Sequence, residues 1–356
     1  MTAVNQWKSW IRRLGHPEKP RPERRIPSGF LAWQTNNPAP KPSTIKDISS
    51  AGLYLLTNER WPVDELIPLT IELEGLPENS AEERIQVQAR VARHDEDGIG
   101  LAFVLPSGLD ADLWEVLVGN AVVLTDPKAL LYTLRLLRTT LFLYRLCREE
   151  ASQALQLLGG ELDEPRTEIA MEIALGAERL LASEPGADNM RAHPQIVASI
   201  LKYGSWAHDD LTTQLWIGLL ATSCHVDAID ESSHAFVDLL VNVTPAQGLI
   251  LVTACKKALE RRPETGHLPS ARVIYTPQEM IRLTGIYDPT RIAVEISYLF
   301  NAGLIDKVFD FTSYVSTESL DITPTRLGLE LYDRCKADRI QPHSPLDESE
   351  SAQPSL

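Results

Sequence analysis

The sequence predicts an α+β multidomain protein. A small antiparallel β-barrel comes first, an all-α helical domain follows, and a winged-helix-like module closes the chain. Three observations carry this reading. Apolar and polar residues alternate in Leu66-Ile67-Pro68-Leu69-Thr70-Ile71-Glu72-Leu73, in Ile85-Gln86-Val87-Gln88-Ala89-Arg90-Val91 and again from Ile99 to Val104, the period of half-buried strands. From about Asp110 the period changes, and residues 127–158 become a Leu-rich run interspersed with arginines. Residues 273–335 then read as strand, helix, turn, helix, hairpin and a last helix.

The barrel strands come in order. Arg25-Ile26-Pro27 leads into the apolar stretch Phe30-Leu31-Ala32-Trp33, and the Pro-rich segment from Asn36 to Pro42 reads as a hairpin tip. Thr44 to Ser49 form a second strand, and Leu53-Tyr54-Leu55-Leu56 a third. The alternating runs from Leu66 and Ile85 follow, and Asp95-Glu96-Asp97-Gly98 turns the chain into the last strand. Six or so short strands with such turns predict a Greek-key-like barrel.

Two short motifs belong to this region. Arg21-Pro22-Glu23-Arg24-Arg25 reads R-x-x-x-R, and Asp47-Ile48-Ser49-Ser50-Ala51-Gly52 reads D-x-S-x-x-G. A guanidinium is a planar fork that meets phosphate oxygens or the O6/N7 edge of guanine bidentately and stacks on a base. Pro20 and Pro22 favour an extended strap over a helix. Asp47 either accepts from guanine N1/N2 donors or holds an arginine in place, and Ser49 donates or accepts. Gly52 either permits a positive-φ turn or leaves room where a side chain would block a ligand. Together these groups can grip a molecule carrying phosphates and purine rings.

In this order the motifs and strands resemble the PilZ domain, over roughly residues 19–118. The resemblance implies a bacterial receptor for the second messenger cyclic di-GMP. Arg21 and Arg25 would clamp the ligand, Arg24 inside the motif could replace either of them, and Asp47, Ser49 and Gly52 would brace it from beneath. Pro20 stands in a neighbourhood that influences how many ligand molecules bind, so stoichiometry stays open.

The 356 residues allow two or three domains, and no apolar run is long enough to span a membrane. No secretory signal is evident, and Cys147, Cys224, Cys255 and Cys335 lie far apart. They read as reduced thiols in a cytoplasmic protein, with no zinc site or disulfide frame. Net charge is −15, yet residues 1–25 carry seven Lys/Arg against two Asp/Glu. An acidic body disfavours non-specific nucleic-acid binding, and a basic arm suits capture of a small dianion. Val4, Trp7, Trp10, Ile11 and Leu14 share one helical face, so residues 4–14 either pack on a domain or make peripheral membrane contact.

The Leu-rich run predicts a long, buried helix ended by Gly159-Gly160. Further helices are expected at about 165–182, 194–204, 209–224, 230–241 and 245–261, with Pro194, Asp209 and Pro245 as start signals. The stretches Leu211–Ala221, Ser233–Leu240 and Val243-Thr244-Pro245-Ala246 resemble the abortive-infection alpha-like family, helical proteins linked to phage response. That resemblance bears on fold and gives no mechanism. In the C-terminal module, Pro277–Gly285 is a helix with its closing glycine, Pro289–Ala302 a second helix ended at Gly303, Leu304–Phe311 and Ser319–Ile322 two strands around a wing, and Thr325–Lys336 a last helix. The candidate recognition helix offers Arg291 against Glu295 and Asp288, a poor set for phosphates or base edges, and winged helices also dock proteins.

No phosphate-cradling G-x-x-x-x-G-K-S/T, dinucleotide G-x-G-x-x-G, H-E-x-x-H or G-x-S-x-G is present. The chain is therefore expected to be no enzyme, with no catalytic residues, metal or cofactor beyond the messenger. The predicted division is 1–18 basic amphipathic segment, 19–118 barrel, 119–265 helical domain, 266–340 winged-helix-like module and 341–356 disordered tail. The expected function is a cytoplasmic cyclic di-GMP receptor that signals to a protein partner through its helical half. The alternatives are an adaptor or scaffold whose barrel no longer binds nucleotide, and a DNA-binding regulator.

Overall fold

The computed structural model describes residues 26–35, 41–48, 52–73, 84–104, 127–182, 184–225, 232–260, 272–306 and 319–336. The 1–18 segment, Arg21, Arg24, Arg25, Ser49, most of the predicted wing and the 341–356 tail lie outside these residues. The chain divides into two compact units, Met1–Leu137 and Arg138–Leu356.

Six strands build the first unit: β1 (Ile26–Gln34), β2 (Ser43–Ile48), β3 (Gly52–Leu56), β4 (Leu66–Leu73), β5 (Ile85–His94) and β6 (Gly98–Phe103). They close in the order β1-β2-β3-β6-β5-β4, with every neighbouring pair antiparallel. The closing pair runs from Phe30↔Leu73 to Gln34↔Leu69, so the sheet keeps no open edge. The alternation read in the sequence sorts the side chains: Phe30, Ile45, Leu55, Ile67, Leu69, Ile71, Val91 and Ile99 are buried in the core. At the start of β3 the backbones of β3 and β6 approach closely. A Cβ on Gly52 would run into the Leu101 carbonyl oxygen. Of the two roles considered for Gly52, room is the one this fold uses, and the neighbour that needs it is the β6 backbone.

Among the described residues ten α-helices follow: α1 (Pro127–Cys147), α2 (Ser152–Gln156), α3 (Glu164–Ala182), α4 (Pro194–Gly204), α5 (Asp210–Thr222), α6 (Ser233–Val241), α7 (Pro245–Glu260), α8 (Pro277–Thr284), α9 (Pro289–Asn301) and α10 (Arg326–Arg334). The helix expected over 127–158 stops earlier, at Cys147. Arg148 takes a left-handed φ of 52°, and the Leu146 carbonyl accepts from Ala192 N at 3.3 Å. Tertiary bonding ends α1, where the local sequence carries no glycine or proline to announce it. The Gly159-Gly160 pair marks a later turn, with Gly160 at φ 143°.

The other helix ends follow local chemistry. Asp209 caps α5 by accepting from Thr212 N at 2.9 Å, and prolines open α4, α7, α8 and α9. Thr276 and Glu279 form a capping box at the start of α8, and Gly285 closes it at φ 68°. Helix α5 is the centre of this unit: Leu215, Trp216, Ile217, Leu219 and Leu220 are all buried. The C-terminal stretch adds two short strands, β7 (Ile274–Tyr275) and β8 (Leu320–Asp321), paired antiparallel, and a bridge between Ile305 and Pro324.

One buried carboxylate ties α9 to the start of α7. Glu295, 8% exposed, accepts from Gln247 Nε2 at 2.7 Å and from Thr244 Oγ1 at 3.1 Å. Arg291 Nε lies 3.8 Å from its other oxygen. Removing the acceptor leaves a buried amide without its partner, a loss of about 1–3 kcal/mol. Glu295→Ala should therefore lower the urea midpoint of the helical unit by that amount. Glu295→Gln, which keeps an acceptor oxygen, should cost distinctly less. Equal losses in both variants would mean that the charge, rather than the bonds to Gln247 and Thr244, holds α9 in place.

Candidate functional site

The barrel registers assemble a row of residues on one face. Pro27 (β1) pairs with Asp47 (β2), Asp47 with Tyr54 (β3), Tyr54 with Gly100 (β6) and Gly100 with Arg93 (β5). Directly paired residues share a face of the sheet. Leu53, Leu55, Ile99 and Leu101 alternate with this row and fill the interior, so Asp47, Tyr54, Gly100 and Arg93 lie on the outer wall.

Tyr54 is nonetheless only 4% exposed. A Cβ on Gly98 would lie 2.8 Å from Tyr54 Cε1, so that glycine leaves room for the ring, and cations cover it. Lys46 Nζ lies 5.2 Å from the ring centroid and the Arg93 guanidinium 6.0 Å from it. The Tyr54 hydroxyl donates to Asp97 Oδ1 at 2.6 Å, and Lys46 Nζ donates to Asp97 Oδ2 at 2.8 Å. Arg93 also pairs with Asp95 at 3.1 Å. The β5–β6 turn that carries these acids is fixed from the other side by Arg60, which donates to the carbonyls of Asp95 and Glu96 at 3.2 and 3.1 Å.

These contacts set the charge states. The bonds from Lys46 and then Tyr54 hold the Asp97 carboxyl down at about 2, below its ordinary 3.8. The bond to Asp97, and then burial, push the Tyr54 hydroxyl well above its ordinary value. Asp97 also raises Lys46, with smaller contributions from Asp47 and Asp95. The result is an outer-wall patch with a fixed anion at the turn, a rigid aromatic ring and cations at its margin.

Residues 28–117 match the PilZ domain family. The match begins three residues after Arg25. It spans Asp47, Ser49 and Gly52 and leaves out Arg21, Arg24 and Arg25. A second family, Abortive infection alpha, matches residues 164–335, from the start of α3 to the end of α10. No curated protein matches the chain.

Of the candidate ligand residues singled out in the sequence, the barrel places two. Asp47 lies near the end of β2 and Gly52 opens β3, so the three-residue connection containing Ser49 joins them at one end of the barrel. Ile26, the residue after Arg25, pairs with Ile48 beside them. Sequence reading missed Lys46, Tyr54, Arg93 and Asp97. The signal was present in part: Tyr54 interrupts an otherwise aliphatic strand at the outward-facing position.

Among the described residues no helix is long and apolar enough to cross a membrane. Cys147, Cys224, Cys255 and Cys335 are buried free thiols, and burial pushes the first three up to about 12.

The Asp97 value carries a signed pH dependence. A folded-state value below the unfolded one gives stability that is present above about 3.8 and lost as pH falls through about 2. Melting followed by circular dichroism between pH 4 and 2 should show a steep loss for the native barrel and a flatter one for Asp97→Asn. Identical slopes would detach Asp97 from Lys46 and Tyr54.

Proposed function

We propose that this chain is a cytoplasmic cyclic di-GMP receptor and no enzyme, reading the messenger at the PilZ barrel and passing the signal to a protein through its helical half. The family match over residues 28–117 carries this reading, together with the β1–β2 register. Arg25 directly precedes Ile26, whose partner is Ile48, inside the D-x-S-x-x-G motif. At about 3.3–3.6 Å per residue, the strap from Arg21 to Arg25 can reach at most about 18 Å from that pairing. Arg21, Arg24 and Arg25 are therefore tethered within reach of Asp47, Ser49 and Gly52. In this reading the ligand's phosphates take the guanidiniums of Arg21 and Arg25 while guanine meets Asp47. Arg93 and the Tyr54 ring extend the same wall. The buried free thiols fit a reducing compartment.

The output module is read as a winged helix. Helices α8 and α9 with the turn at Gly285, the β7–β8 pair and the Ile305–Pro324 bridge support it. Charge favours a protein partner over DNA. Described residues 272–306 and 319–336 carry six Lys/Arg and seven Asp/Glu, too few net cations for a phosphate backbone. Tyr287 and Val294, 71% and 61% exposed, stand at the start of and along α9, which suits docking to an apolar surface. The domain limits proposed from the sequence are retained.

Isothermal titration with cyclic di-GMP tests the receptor. Arg25→Ala should weaken binding by on the order of 2 kcal/mol, about 30-fold, from the lost charge-assisted bidentate contact. Unchanged affinity in the Arg21→Ala/Arg25→Ala double variant would remove the clamp. No heat with the native chain would leave the adaptor reading in its place.

A further inference from the structure

We propose that the acidic β5–β6 turn is a built-in competitor of the messenger: Asp97 and Asp95 occupy Lys46 and Arg93, the two cations that cover Tyr54 and that a phosphate at this wall would take. The inference rests on the receptor reading and adds a regulation to that site.

Two irregularities in the sheet aim these cations. Between Ile45 and Asp47 the register advances two residues on β2 and one on β3, so Lys46 and Asp47 together oppose Tyr54. Between Val91 and Arg93 it advances two residues on β5 and one on β6, so Ala92 and Arg93 together oppose Gly100. An extra residue in one strand of a pair interrupts the alternation of faces. Ile45 and Val91 stay buried, while Lys46, Ala92 and Arg93 are exposed and Asp47 is half-buried. Arg93 then lies across Gly100, where a Cβ would come within 2.9 Å of its Cγ and 3.2 Å of its Nε. The glycine clears the path by which Arg93 reaches the Tyr54 ring from the β5 side, as Lys46 does from β2.

Each cation comes with its own carboxylate. Lys46 Nζ lies 2.8 Å from Asp97 Oδ2 and Arg93 Nε 3.1 Å from Asp95 Oδ2, and all four side chains are about half exposed. Pairs so open to water are weak, so an arriving phosphate can replace the carboxylate. The acids themselves stay in place. Asp97 keeps the Tyr54 hydroxyl at 2.6 Å. The turn backbone is held by Arg60 and by the Asp95 N–H, which donates to the Gly98 carbonyl at 2.9 Å. Displaced from Lys46, Asp97 therefore remains beside the phosphate and opposes it. Asp47 adds its charge to the same wall, and Lys46 senses all three acids. Neighbouring strands lie about 4.8 Å apart. A ligand seated on Asp47 therefore meets Lys46 in the same bulge and the Arg93 side chain beyond Tyr54. The receptor's affinity is held down by its own turn.

Isothermal titration of the full chain with cyclic di-GMP at fixed ionic strength tests this. Asp97→Asn should tighten binding by about two- to fivefold, the span of an exposed ion pair. Asp95→Asn, which leaves the Tyr54–Asp97 bond in place, should also tighten it, and it carries the test if Asp97→Asn fails to fold. Lys46→Gln should weaken binding and, combined with Asp97→Asn, abolish the gain, because the coupling runs through that cation. Unchanged or weaker binding in both asparagine variants would make the turn a structural clamp and overturn the proposal. A gain that persists in the Lys46→Gln background would belong to net charge alone and overturns it equally. Both of these outcomes leave native binding intact. Absence of heat from every protein, the native chain included, would instead remove the receptor reading and this proposal with it.

Discussion

The antiparallel register between β1 and β2 is the constraint on which the rest of the barrel depends. Strand β1 pairs on one side with β2 and on the other with β4, so it both opens and closes the sheet. A slip of one residue would turn Phe30 and Ala32 from the core to solvent and bring Leu31 inward. Burial of Phe30 and Ile45, which pair across the strands, therefore fixes the register. The same register sets what lies beside Asp47 and Ile48. It makes the backbone leaving the arginine strap a neighbour of the D-x-S-x-x-G corner, without any contact between their side chains being needed. A packing requirement in the core thus fixes the geometry at the mouth of the candidate site.

The helical unit uses the opposite economy. Its elements meet through small residues and backbone. A Cβ on Gly218 of α5 would run into the Cys335 carbonyl oxygen, and one on Gly328 of α10 into the Leu304 carbonyl oxygen. Such approaches leave no space for water, so polar groups at the contacts must find partners within the protein. Thr222 and Ser223 at the end of α5 donate to the Arg334 and Leu219 carbonyls. Glu295 gathers Gln247 and Thr244. The bonds of Thr222 to Arg334 and of Gln247 and Thr244 to Glu295 join the C-terminal helices to the α5–α7 core beside apolar burial, and one family match spans both.

What was legible in the sequence follows this division. Strands were legible because the barrel has a wet and a dry side, so residues 66–73 and 85–94 alternate. Helix starts were legible where the signal is local, as at Asp209 and at the prolines that open α4 and α7. The end of α1 was not, because Ala192, some 45 positions along the chain, stops it. The outer-wall row was illegible for the same reason: Asp47, Tyr54, Gly100 and Arg93 become neighbours only once three strand registers are fixed. The motif read from the chain named Gly52 for a turn or for room, and it could not show that the β6 backbone presses on that glycine.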